Sequence, residues 1–396
     1  AALMNKHYDD CPDPPRVLGL TASITNKKIK CKDLMKHAQN LKETYRAEIV
    51  TRDESIQHGT SVHVETIPCP SYKDEILKKN ESLIIPFDIL RYMVNIIQNY
   101  LVQKKDQHIK IERELSHTML NTDYLGVNLT DYQNQSSDYT DITQSRPITL
   151  QLFKHYLENL IEVGYELGLC GLLIFAKELR KKLRKNQGLT LFPDQEARNI
   201  FSDIYQRLEC LTDDILKNLY QLNVHDSDIL FSPKVLQLLD RILKQPNTEG
   251  TLGQSIVFVE RVYTATILSQ VLSHLILTLE SSHAKQLKVN HVTGIKSLFY
   301  DKSMTMKYQE KTIKEFRSGV INILIATAVV EEGLDIPRCD LVIRFNKPNN
   351  FSSYMQSKGR ARAKQNAAYV LFLDELDIDS CQRDQMEYEN YEEIEK

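Results

Sequence analysis

From about Ser71 to Gln245 apolar residues recur every three or four positions, and strand-like alternation nearly vanishes. ILRYMVNIIQNYL, LFKHYLENLIEVGYELGLCGLLIFAKELRKKLRK, ARNIFSDIYQRLECL and SPKVLQLLDRILK each keep an apolar stripe at helical spacing. That pattern predicts a helical block. Ser232 before Pro233 predicts a helix start, with a hydroxyl cap and proline at the first helical position. Inside the block, residues 122–147, with DYQNQSSDYTDITQS, are polar and aperiodic and read as a disordered loop.

From Leu252 the period changes. SIVFVE, LKVNHVTG, NILIAT, DLVIRF and AAYVLFL are short β-rich runs. Between them lie RVYTATILSQVLSHLIL, MKYQEKTIKEFRSG and FSSYMQSKGRARA, which carry helical patterns. Continuous apolar strands separated by amphipathic helices predict a parallel sheet covered on both faces. Ahead of the helical block, RVLGLTAS is an apolar strand ending in small hydroxyl residues, followed by a helical stretch from about Lys32 to Tyr45. AEIV and SVHVETIP are two further extended runs, so this first segment reads as the end of another α/β domain. The division is 1–66 for that end, 67–248 for the helical insertion, 249–373 for the α/β domain and 374–396 for an acidic tail.

Composition changes this picture little. The 396 residues are 42% hydrophobic and 26% charged, ordinary for a soluble chain of several domains. No run of eighteen apolar residues and no charged-then-apolar leader occurs, so the expectation is an intracellular, cytoplasmic protein without a membrane role. The seven cysteines are scattered without a CxxC pair, which predicts reduced thiols and neither a disulfide framework nor a zinc site. The triplets at Asn80, Asn128, Asn134 and Asn350 are accordingly expected to carry no sugar. Charge is more informative: residues 251–373 hold 16 Lys/Arg against 9 Asp/Glu, while 374–396 hold 2 against 10. A basic domain beside an acidic tail points to a polyanionic partner for the former, or only to solubility.

Ligands of open parallel sheets gather at the carboxyl ends of the strands. After NILIAT, Thr327 offers a hydroxyl, Gly333 permits close backbone approach and Asp335 offers a carboxylate to a ribose hydroxyl or an arginine. The same three residue types also make an ordinary strand-to-helix turn. In YMQSKGRARAK, Arg360 and Arg362 carry permanent charge in a fork that fits phosphate oxygens and suits the charge of a transferring γ-phosphoryl group. A solvated helix end is the alternative.

In order and spacing these segments resemble the second RecA-like domain of superfamily 2 helicases. IVFVERVYTA resembles motif IV, ATAVVEEGLDIP motif V, YMQSKGRARA motif VI, and GLTAS motif III at the end of the first RecA-like domain. A helical block between motifs III and IV marks the group of Dicer, RIG-I-like receptors and their archaeal relatives, and the motif wording is most similar to the helicase region of animal Dicer proteins. The resemblance covers 251–373 and 12–23 by residues, and 71–245 by helicity and position alone. It implies that Thr21 and Ser23 couple the nucleotide site to RNA. Phe258, Arg261, Thr293, Gly294 and Thr327 would lie along an RNA backbone. Gly333 and Asp335 would approach the nucleotide ribose, and Gln356, Arg360 and Arg362 would face the phosphates of ATP held mainly by the other domain. Arg261 is followed by Val262 where Dicer proteins often show a second arginine, which leaves one expected backbone contact open.

No GxxxxGK[ST] loop and no DExH tetrapeptide occurs, and GIKS at 294–297 has neither the first glycine nor the spacing. ATP and Mg²⁺ are therefore expected only in the complete two-domain helicase, with none bound or hydrolysed by this chain alone. The carboxylate clusters of a ribonuclease centre are absent from the sequence too. Expected partners are double-stranded RNA, the remaining Dicer domains and a double-stranded-RNA-binding protein on the helical insertion. Two other readings stay open, an RNA sensor of the RIG-I-like type and a non-enzymatic docking module. For the latter, Lys181, Lys182 and Arg184 are the cations to reverse, whereas CGLLIFAKEL reads as buried core. The tail resembles the start of the helical arm that follows the second domain in this family.

Overall fold

A computed structural model describes residues 36, 38–43, 62–104, 148–185, 190–221, 227–245, 253–281, 284–294, 306–327, 336–337, 339–361, 367–381, 383 and 386. Six strands form one all-parallel sheet: β1 (His63–Cys69), β2 (Ser255–Val259), β3 (Val289–Val292), β4 (Ile323–Thr327), β5 (Leu341–Arg344) and β6 (Ala368–Asp374). Their order is β1-β6-β5-β2-β4-β3, so the strands of the α/β stretch all lie in the one sheet. The parallel sheet with flanking helices is the one expected of a RecA-like helicase C-terminal domain.

β1 departs from the sequence division. The boundary drawn between 66 and 67 cuts through a single strand, and that strand pairs with β6 in register, His63 opposite Ala368 through Cys69 opposite Asp374. Sequence adjacency attached SVHVETIP to the preceding segment, whereas backbone pairing attaches it to the far end of the chain. Pro68, which has no N–H to donate, is tolerated because β1 is an edge strand among the described residues.

The period of two along each strand sorts the core into two layers. Val257, Val259, Ile323, Ile325, Leu341, Ile343, Val370 and Phe372 face one side, and Ile256, Phe258, Leu324, Ala326, Val342, Tyr369 and Leu371 the other. The longer helices ahead of β3 are α1 (Tyr72–Lys79), α2 (Ile85–Gln103), α3 (Leu150–Leu167), α4 (Leu169–Lys185), α5 (Gln195–Gln221), α6 (Pro233–Leu243) and α7 (Val262–Thr278). They continue the first layer. The second layer is covered by α8 (Met306–Arg317), through Ile313 and Phe316, and α9 (Phe351–Lys358), through Tyr354.

α7 is apolar almost all round because it is buried on two sides, between the sheet and the helical block. Its Tyr263 stacks on Phe175 of α4, with ring centroids 4.9 Å apart, and meets Tyr156 of α3 edge-on. The helical insertion and the α/β domain thus share one hydrophobic core. CGLLIFAKEL lies in it, with Leu172, Phe175, Ala176 and Leu179 buried.

The stretch LENLIEVGYELGLCGLLIF is not one helix. Gly168 separates α3 from α4 with φ +91° and ψ −177°, a region open in practice only to glycine. The predicted cap at Ser232 is present: its Oγ accepts from Val235 N at 3.3 Å and donates to the Glu166 carbonyl at 2.6 Å, tying α6 to the end of α3. Asn80 and Asn350, both in glycosylation triplets, use their side chains as local caps, accepting from Ser82 N at 2.9 Å and Ser353 N at 2.8 Å. The loop expected at 122–147 lies outside the described residues.

Among the described residues Cys69, Cys170, Cys210, Cys339 and Cys381 are free thiols. Burial pushes Cys69 and Cys170 up to about 11, which keeps both protonated at neutral pH. No group of three or more metal-ligating side chains occurs, and no helix is long and apolar enough to cross a membrane, both among the described residues.

Candidate functional site

Because all six strands run the same way, their carboxyl ends share one edge of the sheet. Glu260 and Arg261 follow β2, Thr293 and Gly294 follow β3, Thr327 ends β4, and Asn346 stands just past β5. Thr327 is 3% exposed, and its hydroxyl has no hydrogen-bond partner among the described residues. A buried hydroxyl without a partner is uncommon and asks for a ligand or a neighbour. Thr293 is buried as well, and its carbonyl accepts from Gln309 Nε2 of α8 at 3.2 Å, which fixes the turn before Gly294.

Phe258 is a core residue. It is 1% exposed in the second layer, with the Arg344 guanidinium 5.7 Å from its ring centroid. The period of two turns its side chain inward, and its carbonyl accepts from Phe345 N at 2.9 Å.

Arg261 reaches neither solvent alone nor an open groove. Its Nη1 lies 2.9 Å from Glu166 Oε1 and its Nη2 3.4 Å from Glu162 Oε2, both carboxylates standing on α3 of the insertion. Glu166 also accepts from the Thr264 hydroxyl and, at 3.0 Å, from Asn346 Nδ2. Asn346 in turn accepts from Glu260 N at 3.0 Å. Sequence reading missed Glu166 and Asn346. The available signal was a pair of acids at i and i+4 on one helix, a like-charge pair that needs a cation from elsewhere.

Arg360 lies at the opposite edge. Its carbonyl accepts from Cys339 N at 3.0 Å and its Nη1 approaches the Ile336 carbonyl at 3.5 Å, both ahead of the start of β5. Burial pushes the Cys339 thiol up to about 12, Asp340 adds to that, and the nearby Arg360 charge opposes it. Motif VI thus stands at the end of a helix, as its sequence pattern implies, and not after a strand. Tyr354 and Ser357 anchor its helix, the former edge-on to Tyr369 and the latter bonded to the Tyr369 hydroxyl at 2.9 Å. That anchoring leaves Gln356, which donates to Ser352 Oγ at 3.2 Å, and Arg360 half-buried on the outer side. Thr21, Ser23, Gly333, Asp335 and Arg362 lie outside the described residues.

The basic trio on α4 is only partly a free surface. Lys182 donates to the Tyr156 hydroxyl and sits over that ring at 4.1 Å, and Arg184 pairs with Glu209 at 2.5 Å. Reversing these two charges would disturb the insertion itself, which leaves exposed Lys181 as the usable probe.

The helicase conserved C-terminal domain family matches residues 234–364. Endoribonuclease Dicer of Danio rerio is 25% identical over 450 residues, covering 98% of this chain and 21% of that protein. Its counterpart in Gallus gallus is 38% identical over 144 residues, 35% of this chain and 7% of that one. Protein Dicer of Schizosaccharomyces pombe is 35% identical over 202 residues, 50% of this chain and 14% of that one. Residues 234–364 thus resemble a helicase C-terminal domain, and the chain is similar to Dicer proteins along most of its length. It spans about a fifth of the length of the first of these relatives. The solved Pyrococcus furiosus Hef helicase domain aligns with 98% of this chain and 69% of its own, at 20% identity and a TM-score of 0.43, a likeness too loose to bear on function.

Proposed function

We propose that this chain is the second half of a double-stranded-RNA-binding, ATP-responsive helicase within a cytoplasmic Dicer-type ribonuclease that makes small regulatory RNAs. The observation that carries the reading is the buried Thr327 hydroxyl, without a partner among the described residues, on the same edge as Thr293 and Gly294. RNA duplexes are recognised through shape, phosphates and 2′-hydroxyls, which suits hydroxyl and backbone donors at strand ends.

Binding of a short blunt RNA duplex, followed by fluorescence anisotropy, is expected to be indifferent to sequence and to weaken steeply as salt rises. A chain that binds no duplex at low salt would end this reading. Thr327→Val separates function from folding. Its stability should equal or exceed that of the wild type, since the lost hydroxyl has no partner among the described residues. RNA affinity should fall by about tenfold, the scale of one hydrogen bond to a charged group at roughly 1.5 kcal/mol. A parallel loss of stability would show that the hydroxyl serves the fold.

For ATP, the described residues offer one wall: the Arg360 guanidinium and Gln356 on the outer side of α9. They supply neither a phosphate loop nor a metal-holding cluster. Arg360 would complement phosphate charge on a nucleotide held elsewhere, together with Arg362, Gly333 and Asp335, and Mg²⁺ would be organised by groups outside this chain. In a phosphate-release assay the chain alone is expected to show no RNA-stimulated turnover. For the partner protein on the insertion, the best-suited surface is the α2 face carrying Ile85 and Tyr92, 51% and 56% exposed.

A further inference from the structure

Glu166 is the next-to-last residue of α3, and its side chain is only 14% exposed. It receives donors from three separate places in the α/β domain: Arg261 at the N-cap of α7, Thr264 in the first turn of α7, and Asn346 after β5. One turn earlier on the same face, Glu162 takes the other arm of the same guanidinium. Two carboxylates at i and i+4 repel each other, and Arg261 between them relieves that repulsion. Arg261 stands at the carboxyl edge that also carries Thr293 and Thr327.

An arginine fork can be occupied by carboxylates or by a phosphate, and the geometry it offers is the same for both. The group formed by Arg261, Glu162 and Glu166 carries two negative charges against one positive, so it repels an approaching phosphate while its cation is engaged. We propose that Glu166, with Glu162 beside it, is an internal competitor for Arg261: the helical insertion occupies the guanidinium and so sets how tightly the sheet edge holds an RNA phosphate. Glu166 is thus a positioning residue acting through Arg261. The inference rests on the reading that RNA meets this edge.

Glu166→Gln keeps the size of the side chain and one acceptor oxygen for Asn346, places an amide donor toward the Thr264 hydroxyl, which can accept, and removes the charge. The dissociation constant for a short blunt RNA duplex is expected to fall by about three- to tenfold at low salt, as one more cation becomes available to a phosphate. The slope of log affinity against log salt should steepen by roughly 0.9, the value for one added phosphate contact. A merely structural role would leave that slope unchanged. In Glu166→Gln/Arg261→Gln both gains should vanish, returning affinity to that of Arg261→Gln. If Glu166→Gln does not fold, Glu162→Gln carries the test. That residue is 53% exposed, and its removal should move affinity and slope the same way by a smaller amount. Equal or weaker binding by folded variants, with wild-type binding intact, overturns the competitor role and leaves the RNA reading standing. No binding by the wild type removes both.

Discussion

Replacing Gly168 with alanine is expected to lower the unfolding free energy by about 2–6 kcal/mol. Two costs combine. The backbone at φ +91°, ψ −177° lies where other residues are strained by about 1–3 kcal/mol. An added Cβ would also stand 2.6 Å from the Leu230 carbonyl oxygen, 2.7 Å from Ser232 N and 2.8 Å from Phe231 C. Backbone atoms cannot swing aside as a side-chain tip can, so overpacking adds about 1–3 kcal/mol. Gly319 supplies the control. Its φ is +75°, but an added Cβ meets nothing within 4 Å, so Gly319→Ala should cost only the conformational part, about 1–2 kcal/mol. Urea unfolding followed by far-UV circular dichroism measures both. Equal midpoints for the two variants would show that the close approach of 230–232 is not what demands glycine at 168. The functional consequence is local: Gly168 lets α3 end where Glu166 meets Arg261, and the Ser232 hydroxyl is bonded to the Glu166 carbonyl.

Acidification is expected to destabilise the fold through His291. This residue of β3 lies under α7, its ring nitrogens 3.1 Å from Ser269 Oγ and 3.4 Å from Thr266 Oγ1, and burial drives its pKa down to about 4. In the unfolded chain a histidine titrates near 6.5. Between those values the unfolded state binds the extra proton, so stability rises with pH there. The contribution is complete above about pH 6.5, is lost as pH falls toward 4, and amounts to about 3 kcal/mol in all. His155 shifts in the same direction, also chiefly by burial, so the test must isolate one ring. His291→Gln should flatten the pH dependence between pH 6.5 and 4 relative to the wild type. Parallel curves for the two proteins would refute the assignment.

Neither residue drew notice in the sequence, and for the same reason. Glycine in a helical run and histidine in a strand are common, and their burdens come from atoms brought close by folding. Motif VI shows the opposite case. The run YMQSKGRARA reads as a phosphate-facing segment from its arginines, and the fold keeps Arg360 and Gln356 outward by spending Tyr354 and Ser357 on the core. Motif IV lies between. Its Arg261 is expected from the sequence to meet an RNA backbone, and the carboxylate partners it has sit on α3, in a part of the chain that resemblance covers by helicity alone.

The sequence by itself determined the periods of the elements: apolar runs that had to be strands buried on both faces, stripes that had to be helices, and caps such as Ser232. It also determined the chemistry on offer, arginines and hydroxyls without a phosphate loop. Only the tertiary structure decided that β1 joins β6, that Phe258 turns inward, that Thr327 and Arg360 occupy opposite edges, and that Arg261 is held by the insertion. Periodicity is a local property, fixed by the backbone's own geometry. Pairing between distant segments depends on which surfaces meet, and a one-dimensional pattern does not carry that information.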